Sequence, residues 1–199
     1  PEVEWLFGPS AVANHWEYQP GTAPAFRVLW DQVNDQRFLA YALKTASDDN
    51  SVYLKKPMSS SELGQSVRSA EAFLNRMEAY ALSGEEGLAL AELNAFRKTR
   101  MIGYTDVNLS GQALLDEIRL ERRKELCFEG HRWFDLRRQG MPEIKHTYKA
   151  EKGGAVYEYV LQQGDPMYTL PFPNSVVLQN RALVQNPSRE MGARQGEIQ

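Results

Sequence analysis

The run LLDEIRLERRKELCFEGHRWFDLRRQG, from Leu114 to Gly140, constrains this chain more than any other stretch. Leu114, Leu115, Ile118 and Leu126 recur at helical spacing, which predicts a helix lying on a core. The register that carries Leu114 and Ile118 also brings Glu121, Glu125 and Phe128 to that face. Carboxylates on a core-facing stripe need partners, because an unpaired buried charge is costly. Arg119, Arg122, Arg123 and Lys124 stand close by, and Arg132, Arg137 and Arg138 follow. A guanidinium clamps a carboxylate through two parallel hydrogen bonds, so Glu–Arg pairing inside the fold is the expected outcome. Gly130 should break this helix, and HRWFDLRRQ reads as a second, short one ended by Gly140. Trp133, Phe134 and Leu136 are its expected core anchors. His131 and Asp135 lie four apart, but one His and one Asp make no metal site and no nucleophile stands nearby. A hydrogen-bonded histidine at a helix start is the preferred reading.

Upstream, PEVEWLFGPSAVANHWEYQPGTAPAF is punctuated by Pro9, Pro20, Pro24, Gly8 and Gly21 and reads as loop with short extended pieces. It carries Trp5, Phe7, His15, Trp16, Tyr18 and Phe26, many aromatics for a loop. Either they pack down as a satellite cluster or some of them face a ligand. Leu29, Val33 and Phe38 suggest a short helix. Tyr41, Val52, Tyr53 and Leu54 suggest strands around the polar turn SDDNS. The acidic turn Asp48, Asp49, Asn50 fits no calcium-loop spacing, and a solvated turn is the preferred reading.

Ser59, Ser60 or Ser61 is the expected cap of a helix reaching about Ser83, stopped by Gly84. Val67, Ala70, Leu74, Met77 and Ala81 form its apolar stripe. A second helix from about Glu85 to Lys98 should bury Leu88, Ala89, Leu93 and Phe96. Small residues at Ala70, Ala79, Ala89 and Ala95 would let the pair approach closely. Val67 to Arg100 has the length of one tetratricopeptide-type hairpin, about 34 residues. One such unit cannot cover its own apolar face, and the helix Ala113–Phe128 can cover one side of it. Beyond Gly140, YEYVL and MYTL read as two short strands about the turn QQGD. A one- to two-turn helix is expected at Asn174–Gln179 with Asn174 as candidate cap, and Ser188–Gln199 is a polar tail without periodicity. The expected fold is therefore mainly α, with tetratricopeptide-like hairpin packing, irregular loops and a small β-hairpin. Its expected division is a loop-rich segment 1–58, a helical domain 59–187 and the tail 188–199.

ERRKELCFEGHRWFDLRRQG closely resembles a signature of the SusD/RagB family of glycan-capturing outer-membrane lipoproteins. LPFPNSVVLQNRALVQNP from Leu170 is similar to that family's closing segment, and VRSAEAFLNRMEAYALSG from Val67 to its helix with a Leu-x-x-Ala-Glu-Ala pattern. Asp35 and Arg37 resemble the family's Asp-x-Arg. The resemblance implies a SusD-like fold, of which this is expected to be the C-terminal part. It also implies an oligosaccharide ligand and a SusC-like TonB-dependent transporter as partner. Membrane attachment would be only through an N-terminal lipid anchor that this chain does not carry.

Composition narrows the remaining classes. A net charge of −3 gives no reason to expect nucleic acid as a partner. The single cysteine, Cys127, permits no internal disulfide and reads as a buried small hydrophobe. No apolar run reaches the roughly 18 residues a membrane span needs. No phosphate loop, Gly-x-Ser-x-Gly, His-Glu-x-x-His or Cys-x-x-Cys is present, and nothing singles out a catalytic carboxylate pair. No catalytic residue, cofactor or metal ligand is therefore assigned. A glycan-capture protein is preferred over a helical-repeat scaffold for a protein partner, or a glycoside-hydrolase accessory domain. The candidate ligand-binding residues are Trp16 and Tyr18, with Trp5, Asn14 and His15 as neighbours. Packing of Trp5 and Trp16 onto the helical core is the equal alternative.

Overall fold

The structure, a computed structural model, describes residues 24–44, 52–54, 68–127, 129–149, 154–180, 182–190 and 196–198. It divides into two compact units, one ending at Arg132 and the other starting at Trp133.

In the first unit the order is α1 (Pro24–Arg27), α2 (Gln36–Tyr41), β1 (Ala42–Lys44), β2 (Val52–Leu54), α3 (Ser69–Leu82), α4 (Glu86–Lys98) and α5 (Gly111–Glu125). The helices α3, α4 and α5 share one core of Ala70, Leu74, Met77, Ala89, Leu93, Phe96, Leu114, Ile118 and Leu126. Each fully buried Leu or Ile there contributes roughly 1.5–3 kcal/mol relative to exposure. The turn between α3 and α4 closes because Gly84 adopts φ 87°, a left-handed conformation that costs glycine little. There Glu85 N–H donates to the Tyr80 carbonyl at 2.9 Å and Gly84 N–H to that of Ala81, which satisfies the last carbonyls of α3. A second cluster gathers Phe26, Trp30, Phe38 and Cys127, so the lone cysteine is a packing residue.

Several expectations change here. Helix α3 starts only at Ser69, because Arg68 is extended (φ −105°, ψ 142°) and holds its guanidinium on acidic partners described below. Val67 and the predicted caps Ser59–Ser61 lie outside the described residues, as do Asp48–Asn50 and Phe128. Leu88 is half exposed, while Asn94 and Arg97 take buried places on α4. Ala79 and Ala95 face outward, leaving Ala70 and Ala89 at the close approach. No single helix joins Leu29 to Phe38, because Asp31 accepts hydrogen bonds from Val33 N–H and Asn34 N–H at 3.0 and 2.9 Å. That side-chain turn breaks the helix and leaves Val33 exposed.

In the second unit α6 (His131–Arg138), whose first turn crosses the division, is bracketed by Gly130 and Gly140 at φ 80° and 91°. It is followed by β3 (Ile144–Lys149), β4 (Val156–Leu161), α7 (Asn174–Gln179) and β5 (Glu197–Ile198). The strands form one antiparallel sheet in the order β3-β4-β5, with Ile144 opposite Leu161 and Tyr157 opposite Ile198. The partner of YEYVL is thus the upstream IKHTYK. The predicted strand MYTL is instead the short turn of 3-10 helix Pro166–Tyr168, because the Asp165 carboxylate takes Met167 N–H at 2.8 Å. Tyr168 is buried against Trp133, ring centroids 4.9 Å apart. Leu136 is buried as expected, but Phe134 is 62% exposed and anchors nothing in the core. Pro173 rather than Asn174 precedes the first turn of α7, and Asn174 accepts from Arg189 instead. Within the stretch read as a polar tail, Pro187–Glu190 forms a 3-10 turn and β5 joins the sheet.

Candidate functional site

The predicted ligand-binding residues Trp5, Asn14, His15, Trp16 and Tyr18 lie outside the described residues. What the described residues bring together is a buried web of ion pairs at the end of α5. Helical spacing sets Glu121 and Glu125 one turn apart, both nearly inaccessible to solvent. Between them sits Arg37, 2.7 Å from Glu121 and 3.0 Å from Glu125. Asp35 orients that guanidinium by accepting from its Nε and Nη2 at 3.0 and 2.8 Å, and takes the Arg37 backbone N–H as well. The Asp-x-Arg segment is itself pinned: Gln36 N–H donates to the Arg100 carbonyl, and Ile102 N–H to that of Asn34, both at 2.9 Å.

Three more arginines complete the web. Arg97 reaches Glu121 at 2.8 Å and also Glu117. Arg100, in the turn just beyond α4, holds Glu125 at 3.0 Å, and Arg68 joins Glu125 to Glu129 at 3.1 and 2.7 Å. The Arg68 Nη2 also donates to the Glu125 carbonyl at 2.9 Å, a group that the end of the helix leaves open. The acidic stripe expected from helical spacing is therefore present, with Arg37, Arg68, Arg97 and Arg100 as partners. The nearby arginines run elsewhere: Arg119 to Glu78 at 3.0 Å, and Arg122 to Asn75 at 2.7 Å.

Electrostatics follow from this packing. Burial alone would raise the Glu125 carboxyl, but hydrogen bonds and charge from Arg100 and Arg37 outweigh it and hold the group at about 2. Burial opposes ionisation of Glu121 too, and Arg37 and Arg97 overcome it. Lys124, desolvated at the edge of the web, is pushed below the ordinary ammonium value despite Glu121. Burial likewise pushes the Tyr41 phenol up to about 12. Glu121, Glu125 and Tyr41, shifted away from neutrality, are poor proton shuttles, since a general acid or base works best near the operating pH. The web is suited to holding α5, α4 and the Asp35–Arg37 segment together.

His131, read from the sequence as a structural histidine at a helix start, has Nδ1 3.7 Å from Glu71, while Asp135 pairs with Arg138 at 2.9 Å. Among the described residues no group of three His, Cys, Asp or Glu side chains is placed to hold a metal ion. The sequence marks Asp35 and Arg37 as a motif, but nothing in it joins them to Glu121 and Glu125. The available signal was a pair of acids lacking enough cations on their own face. Arg68, Arg97 and Arg100 carried no signal beyond being arginines at helix ends.

A model of the SusD family matches residues 32–188. A SusD homolog from Bacteroides thetaiotaomicron is similar in structure, with 22% identity and a TM-score of 0.60 over 83% of this chain and 38% of that one. A SusD superfamily protein from Bacteroides fragilis is 25% identical, with a TM-score of 0.58 over 83% and 37%. A SusD-like carbohydrate binding protein from Bacteroides vulgatus is 22% identical, with a TM-score of 0.51 over 80% and 40%. The chain spans no more than 40% of the length of these structures. No curated protein matches it. Since the matched region takes in Asp35 and Arg37, the three core helices with their ion web, and the hairpin, the chain belongs to the SusD family.

Proposed function

We propose that the protein to which this chain belongs captures extracellular oligosaccharide without cleaving it. It would do so at the bacterial outer-membrane surface, attached by a lipid anchor, and pass the glycan to a SusC-like TonB-dependent transporter. The observation that carries this reading is the family match over residues 32–188. The fold likeness to a protein described as SusD-like carbohydrate binding supports the ligand class. Among the described residues no helix is long and apolar enough to cross a membrane, which is compatible with a surface-attached protein. The ion web supports the non-catalytic part, because its carboxylates are committed to arginines and held ionised.

The contact surface we assign to the loop-rich segment 1–58 centres on Trp16 and Tyr18. Separated by Glu17, they point to one side if that stretch is extended, with Asn14 on the same side and Trp5 and His15 flanking. Aromatic faces stack on sugar rings while amide and imidazole groups meet hydroxyls. The test is a glycan array followed by titration calorimetry with the best oligosaccharide, alongside a reducing-end assay. Binding without turnover is expected, and Trp16→Ala should weaken it about thirtyfold. Sustained product release abolished by mutating one carboxylate would overturn the capture reading.

A further inference from the structure

The three-stranded sheet sorts its side chains by chemistry. Alternation along IKHTYK and YEYVL, in the register that sets His146 opposite Tyr159 and Tyr148 opposite Tyr157, puts those four residues on one face. Lys145, Thr147 and Glu158 fall on the other. Ile198 of β5, opposite Tyr157, extends the first face. Among the described residues that face carries phenol, imidazole and aliphatic groups and no carboxylate, ammonium or guanidinium.

Cross-strand tyrosines stabilise hairpins by a few tenths of a kcal/mol to about 1 kcal/mol per pair, which is the ordinary reason for finding them. Two observations go beyond that reason. Tyr148 is 44% exposed and His146 is exposed, and none of the four belongs to a core cluster. Moreover, Gly196 lies directly against the rings at the sheet edge. A Cβ there would fall 2.7 Å from Cζ of Tyr159 and 2.8 Å from Cβ of Tyr157. A side chain at this position would have to push the Tyr159 ring aside, so glycine suits the close approach. The face is thus packed at its β5 edge, with Tyr157 and Tyr159 half-buried, and open to solvent at His146 and Tyr148.

We propose that this tyrosine face is an oligosaccharide contact surface, specific for neutral glycans over anionic ones; this rests on the capture reading above. Strands about 4.8 Å apart place Tyr148 and Tyr157 side by side, and Tyr159 follows one pleat on, about 6.6 Å along β4. Such a platform accommodates one or two pyranose rings. Phenol hydroxyls and His146 supply donors and acceptors at its margin for sugar hydroxyls. A face of ring surfaces without carboxylate, ammonium or guanidinium complements a neutral, hydroxyl-rich chain. It offers an anionic glycan nothing to offset the loss of its hydration.

The test is calorimetry of the full chain with maltohexaose, xylohexaose, mannohexaose and a polygalacturonate oligomer, repeated for Tyr148→Ala, Tyr148→Phe and Trp16→Ala. Aromatic NMR spectra of the unmodified chain are followed during the same titrations. A neutral hexaose should bind and shift the Tyr148 and Tyr157 ring signals. Tyr148→Ala should weaken it about thirtyfold, and Tyr148→Phe should stay close to the parent. If a hexaose binds but those ring signals stay fixed and Tyr148→Ala binds as before, the tyrosine face is not a contact surface and the capture reading stands. Preference for polygalacturonate overturns the neutral specificity. Silence from every glycan overturns both readings, and self-association lost in Tyr148→Ala would assign the face to a second copy of the chain. Should Tyr148→Ala misfold, the ring shifts of the unmodified chain decide the matter.

Discussion

The two units of this chain are held together over different distances along the sequence. In the unit ending at Arg132, side-chain hydrogen bonds join residues as far as 88 apart, and those from Arg37 to Glu125 and from Arg97 to Glu121 are buried. In the unit starting at Trp133, the bonds from Arg137 to Thr169, Gln185 to Phe172 and Asn186 to Leu170 join residues 32, 13 and 16 apart and sit at the surface. A buried web of charges behaves as a whole, because removing one member leaves the others desolvated and under-compensated. A sheet edge and a few turns can give way piece by piece. The first arrangement makes stability cooperative, and the second leaves room for local adjustment.

The hardest blow to this contrast would be Arg37→Ala. It strips Asp35, Glu121 and Glu125 of a shared cation, and a loss of about 3–5 kcal/mol is expected by urea unfolding. A sub-kcal effect would mean that the web is hydrated in solution and that the two units do not differ in kind. Acid should act next. Glu121 and Glu125 have folded values below the ordinary glutamate value of 4.5, so they bind protons less readily folded than unfolded. Their contribution is complete above that value and fades as pH falls toward about 2, the folded value of Glu125. Amide exchange measured at pH 7, 4 and 3 should show protection lost first in α4 and α5. Exchange rising equally in the hairpin would contradict the assignment. The smallest effect is expected for Gly196→Ala, about 1 kcal/mol or less. The added methyl group must displace the Tyr159 ring, and β5 can detach to let it. Faster exchange confined to Glu158, Tyr159 and β5 would show this, whereas a global drop in melting temperature would show the sheet edge to be as cooperative as the web.

The same contrast explains what could be read from the residues alone. Periodicity reports which face of a helix is buried, and so Leu114, Ile118, Glu121 and Glu125 were all legible. It does not report which distant cation arrives there, and the local arginines proved to have other partners. Leu88 and Phe134 were misplaced because apolar character makes burial favourable without supplying a neighbour to cover them. In the second unit YEYVL was legible as a strand, but its partner was not, since alternation specifies a face and not a pairing. The short β5 had no pattern to read: two residues and a glycine suffice when the opposing tyrosines make room for backbone only. Of the candidate site, Trp16, Tyr18 and their neighbours lie beyond the described residues, and the tyrosine face emerged only once the register was known.

The separation between Arg37 and Glu125 has a consequence for how the protein is made. At a bacterial synthesis rate of about 5–20 residues per second, Arg37 is polymerised roughly 4–18 seconds before Glu125. Local elements such as a helical hairpin form in microseconds and need not wait. Asp35 and Arg37 must wait, hydrated and open to proteases, until α5 has been translated. A ribosome-bound chain stalled short of residue 121 should be cut by trypsin after Arg37, and one long enough to have released all of α5 from the exit tunnel should resist. For that interval, Asp35 and Arg37 lack the acidic partners on α5 that later bury them.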